Sequence, residues 1–157
     1  MYRSRRLQGL WCVALPVAAL VVLAGAPTVA QRPYPVYTEY HLDRTMLVVG
    51  RNFAGATASL TDGDFRTAKE RLTRAREQLA VSITFWRHNS KDDAIKMLRD
   101  TIATLDALDA ALSLGEVDPI AVGAISDQTR AACETCHAVY RDQDPDTDAY
   151  RLKPGSV

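Results

Sequence analysis

Residues 132 to 141 read "ACETCHAVYR", which places two cysteines three residues apart and a histidine directly after the second. A thioredoxin-like dithiol needs its cysteines at a helix N-terminus, in a βαβ context, where the helix dipole lowers the thiol pKa. A structural zinc site needs four ligands. The motif offers three, and the only other histidines, His41 and His88, lie on distant segments. A disulfide between residues three apart within a helix is geometrically awkward. Covalent attachment of c-type haem (heme c) meets each demand. The thiols of Cys133 and Cys136 add to the vinyl groups, and His137 ligates iron on the same side. At about 100° per residue, Cys133, Cys136 and His137 fall within roughly one 100° arc of a helix, so they can face one flat cofactor together.

The rest of the chain must position that motif. Leu42, Met46, Val49, Phe53, Ala56 and Leu60 recur at steps of four and three, an apolar stripe on one helix face. "TDGD" interrupts it, with Gly63 as the stop and Asp62 or Asp64 as a cap. Phe65, Ala68, Leu72, Ala75, Leu79, Ile83 and Trp86 predict a second helix. After "RHNSKDD", with Ser90 as a cap, Ile95, Leu98, Ile102, Leu105, Leu108 and Leu112 predict a third. Pro119 suits the first turn of a fourth, running to about Asp142 and carrying the haem motif. Strand signals are nearly absent. The expected fold is all-α, an antiparallel four-helix bundle over residues 38–142 with covalently bound haem, followed by an irregular tail at 143–157.

The first thirty residues have a different character. Arg3, Arg5 and Arg6 precede the uncharged run "LWCVALPVAALVVLAGA", and small residues follow. That layout predicts a secretory signal peptide over 1–30, then a proline-punctuated lead at 31–37. Cleavage removes three of the 19 basic residues and none of the 19 acidic ones, leaving a net charge of about −3. Cys12 leaves too, so both remaining cysteines belong to the motif. No clustered basic face suggests nucleic-acid binding. No paired carboxylates, serine–histidine set or phosphate loop suggests an enzyme.

With the motif on the last of four predicted helices, the chain resembles the cytochrome c′ family. Tyr140 and Arg141, after "CETCHAV", match the aromatic and basic residues that follow the family's haem motif. The resemblance implies thioethers at Cys133 and Cys136, His137 as proximal ligand, and Arg141 near the proximal face. It departs in the link "FWRHNSKDD", in Leu42 standing where the family has a basic residue, and in the longer tail. Arg44 or Arg51 would then meet the haem propionates.

"MLVVGRNF" resembles the first helix of the family's methionine-ligated branch, which aligns Met46 with the distal position. Core filling is the plain alternative for Met46. Met97 lies beside its stripe rather than on it. His41 is about 140° around the helix from Met46, so the two cannot share one haem. The resemblance implies an exported, periplasmic electron carrier with His137 and Met46 as axial ligands, redox proteins as partners, a homodimer through the first two helices, and no membrane attachment after cleavage. The competing expectation is a gas-binding protein for nitric oxide or carbon monoxide, with an open distal site. Trp86 and Phe85 read as core packing.

Overall fold

In the computed structural model, residues 38–157 are described; the expected signal peptide and lead lie outside them. The described chain is all-α apart from one small hairpin. It has four long helices, α1 (Glu39–Thr61), α2 (Phe65–Val81), α4 (Asp92–Ala111) and α5 (Pro119–Tyr140), and a six-residue α3 (Ile83–His88). None of the described helices is long and apolar enough to cross a membrane.

Local chemistry accounts for the boundaries. Thr38 caps α1, its hydroxyl accepting from the His41 amide. α1 stops in a Schellman turn: Gly63 takes φ +73°, its N–H bonds Leu60 O, and Asp64 N–H bonds Ser59 O. Of the two aspartates, Asp64 caps α2, accepting from the Thr67 amide. The expected second helix is broken at Ser82, which is fully buried and donates its hydroxyl to Leu79 O at 2.7 Å. A hydroxyl that bonds a nearby carbonyl competes with the helical ladder, and the chain restarts as α3.

Ser90 does not cap α4. It is the left-handed residue (φ 55°) of a second Schellman turn that closes α3, with Lys91 N–H on Trp86 O and Ser90 N–H on Arg87 O. α4 follows Lys91, which offers no side-chain cap, and Asp92 and Asp93 in its first turn complement the helix dipole. α5 starts as expected, with Asp118 accepting from the Ile120 and Ala121 amides and Pro119 at the first position.

α1 packs along α2, α4 along α5, and α2 against α4; α1 and α5 touch only slightly. Fully buried Ala56, Ala68, Ala75 and Ala94 let backbones approach, and Leu72, Leu98, Leu105 and Leu108 fill the interior. Arg76 pairs with Asp106, and Lys69 with Asp109, across α2 and α4. The tail expected to be irregular forms an antiparallel hairpin, β1 (Arg141–Gln143) with β2 (Tyr150–Leu152). Its strands are only three residues long and lack an apolar alternation, so periodicity carried no signal for them.

Candidate functional site

The slight contact between α1 and α5 leaves an open cleft of about 460 Å³. Its α1 wall is Gly50, Phe53, Ala54, Thr57, Ala58 and Thr61. Its other wall is Arg130, Cys133, Glu134 and His137 of α5, with Arg141 just past the helix end. Spacings of three, four and seven from Arg130 put the four α5 residues on one side of the helix. The largest side chain from α1 is Phe53; three of the others are glycine or alanine. The small side chains at Gly50, Ala54 and Ala58 leave the gap between the two helices unfilled.

Three of the five expected site residues therefore meet at one cleft: Cys133, His137 and Arg141. Cys136 is half-buried and packs against the main core, beside the wall rather than on it. Met46 is also half-buried against that core. It lies one helical turn before Gly50, the first α1 residue of the wall, and is not itself on the lining. Arg44 and Arg51 do not line the cleft. Arg130 does, and its spacing of three before Cys133 and seven before His137 was the available sequence signal.

Arg141 is one residue beyond the end of α5, with extended backbone (φ −102°, ψ 136°), rather than one helical turn along it. Its N–H still bonds His137 O, so the chain turns outward directly beside the histidine.

The electrostatics favour neutral groups. Burial pushes the Cys136 thiol up to about 11, with the Cys133 and Asp93 charges adding to it. Burial raises Cys133 also. Both cysteines are free. Such thiols stay protonated at neutral pH, the opposite of an activated dithiol. His137 falls to about 4, through burial first and the Arg141 charge second, so its imidazole is neutral and has a lone pair to offer. Among the described residues no three histidine, cysteine or acidic side chains come together to hold a bare metal ion. One neutral imidazole, two neutral thiols on an adjoining arc and a largely apolar cleft fit a flat macrocycle that brings its own metal. The volume is in the range of small-molecule sites, about 300–1,000 Å³.

Behind the motif, Tyr140 is 5% exposed and donates to Asp93 Oδ2 at 2.6 Å. This bond ties the end of α5 to the start of α4. The Tyr140 hydroxyl bond is the main cause holding the Asp93 carboxyl below its ordinary range. A depressed folded pKa contributes stability that is fully present above the unfolded value, near 4, and is lost as pH falls through the folded value. Tyr140→Phe is therefore expected to lower the urea midpoint at pH 7, and the gap from the parent to narrow as pH is taken below about 4. Urea titrations at pH 7 and pH 3 check this; a gap equal at both would mean that Asp93 is not the partner that matters.

Comparison of the chain with family models, curated proteins and solved structures returns no match.

Proposed function

We propose that this chain is an exported monohaem c-type cytochrome that carries single electrons, an antiparallel four-helix bundle holding its haem between α1 and α5. The observation that carries this reading is the meeting of Cys133, His137 and Arg141 at one cleft whose opposite wall is, apart from Phe53, built of small side chains. When bound, the haem supplies a one-electron iron couple whose potential follows its axial ligands, burial and nearby charge. Cys133 and Cys136 anchor it through thioethers. His137, neutral in its buried position, presents the proximal nitrogen. Met46 supplies a thioether from α1, an unbranched side chain with the reach to turn toward a cleft that begins one turn away. Arg141 and Arg130 place positive charge on the wall opposite α1, where carboxylates of the cofactor would be held. The basic–apolar start of the sequence and the chemistry of covalent attachment agree with a periplasmic location, with redox proteins as partners and a homodimer through α1 and α2.

One observation favours a second reading. No sulfur or imidazole from α1 lines the cleft, whose α1 wall is Gly50, Phe53, Ala54 and their neighbours. A haem opposed only by such a wall would keep an open position for nitric oxide or carbon monoxide.

Optical spectra of the exported protein, made in a host that matures c-type haem, decide between them. The parent is expected to be low-spin in both oxidation states, with a sulfur-to-iron charge-transfer band. Met46→Leu is expected to become high-spin and to take up carbon monoxide at least about tenfold more tightly, since a competing ligand worth about 1.4 kcal/mol or more is gone. An unchanged spectrum in Met46→Leu would remove Met46 from the iron, and a high-spin parent that responds readily to carbon monoxide would establish the gas-binding reading.

A further inference from the structure

The C-terminal hairpin holds one residue of the cleft, and nothing in the resemblance accounts for it. Pairing of Arg141 with Leu152 and of Gln143 with Tyr150 puts Arg141, Gln143, Tyr150 and Leu152 on one face. Tyr150 is thus the diagonal neighbour of Arg141, within reach of a long side chain. The Arg141 guanidinium carbon lies 4.2 Å from the Tyr150 ring centroid, a cation–π stack. Tyr150 is 51% exposed, so core packing does not explain an aromatic residue there.

The opposite face carries the charges that would otherwise compete. Arg151 pairs with Asp142 at 3.5 Å and with Asp144 at 2.6 Å. Those carboxylates are engaged away from Arg141, which makes no ion pair among the described residues. Three further contacts fasten the hairpin to the haem-motif helix and the core. Lys153 N–H bonds Tyr140 O at 2.9 Å, Lys153 Nζ donates to Ala138 O at 2.6 Å, and Leu152 packs against the core. The last carbonyls of α5 are thereby satisfied by the tail.

We propose that the hairpin is a clamp for Arg141, in which Tyr150 is a positioning residue that keeps the guanidinium uncompensated by acid and fixed at the cleft. An arginine at the end of a helix otherwise samples many rotamers and spends its charge in solvent. Stacked on Tyr150, it keeps its donors at the ring edge available, because stacking uses the flat face of the guanidinium and not its N–H groups. With respect to the redox site the inference rests on the haem reading. A fixed positive charge at the cleft favours the reduced, less positive iron and so raises the potential.

The test is a double-mutant cycle on the full exported chain, with reduction potential and urea unfolding both measured. Tyr150→Leu is expected to shift the redox equilibrium about threefold toward the oxidised form, against a tenfold shift equalling 59 mV for one electron. Tyr150→Phe keeps a ring and is expected to restore the parent value. On an Arg141→Gln background, Tyr150→Leu is expected to change nothing further. A Tyr150→Leu variant with the parent potential overturns the proposal, as does an equal shift with and without Arg141. The unfolding half of the cycle does not need haem: coupling of about two- to fivefold in the unfolding constant supports the clamp, and additivity overturns it. A chain that takes up no haem defeats the cytochrome reading alone, because the unfolding cycle still reads the stack.

Discussion

Changing both Cys133 and Cys136 to alanine is expected to abolish covalent haem. In a host that matures c-type haem, the parent should keep its haem through denaturing electrophoresis and show the corresponding added mass. The double variant should run at the mass of the polypeptide alone. Each single variant keeps one thiol and is expected to retain a single thioether at lower yield. His137→Ala divides the roles differently, since both thiols remain and attachment survives while the proximal nitrogen is lost. Mass then reads the cysteines and the spectrum reads the histidine. The two thiols are not equivalent in the fold. Cys133 lies on the wall of the cleft, whereas Cys136 packs against the core beside it. Cys136→Ala should therefore also cost stability in the chain without haem, about 1 kcal/mol for a buried atom of that size, and Cys133→Ala less. Haem that survives in the double variant through denaturation would mean that the motif is not an attachment site.

The sequence carried the helices well because each has an apolar stripe long enough to read. Positions such as Leu72, Leu98, Leu105 and Leu108 recur at helical spacing and are buried. The C-x-x-C-H pattern is visible at once, since a pattern of that kind depends only on residue type and local spacing. What escaped was set by single polar contacts. Ser82 breaks the second helix by turning one hydroxyl onto Leu79 O, and Ser90 takes a left-handed turn where a cap was expected. Neither disturbs the apolar period. Arg130 escaped for another reason: its spacing from Cys133 and His137 puts it on their face of α5, but only the packing of α1 opposite makes that face the wall of a cleft. The hairpin was least visible, because its strands are three residues long and its organisation comes from Arg151, Lys153 and the Arg141–Tyr150 stack rather than from hydrophobic alternation.

Phe85→Ala is expected to be the most destabilising single change in the short helix, at about 3–5 kcal/mol. Phe85 is the largest fully buried side chain of the described core, and its ring stands edge-on to Trp86 at 5.0 Å. Trp86 in turn packs at 4.7 Å against Tyr140, the residue three positions after His137. The stack therefore joins α3 to the end of the motif helix, and the Tyr140–Asp93 bond joins that end to α4. Trp86 Nε1 is buried with no hydrogen-bond partner among the described residues, a desolvation cost of about 1–3 kcal/mol that the surrounding contacts must exceed. Removing the Phe85 ring takes away much of that contact and leaves the cost in place. Against a typical domain stability of about 5–15 kcal/mol, the loss would leave a marginal fold. Urea unfolding of Phe85→Ala, with Phe85→Leu as the variant that keeps most of the volume, measures it. A cost below about 1 kcal/mol for alanine would show that α3 is an ornament on the helices rather than part of their core.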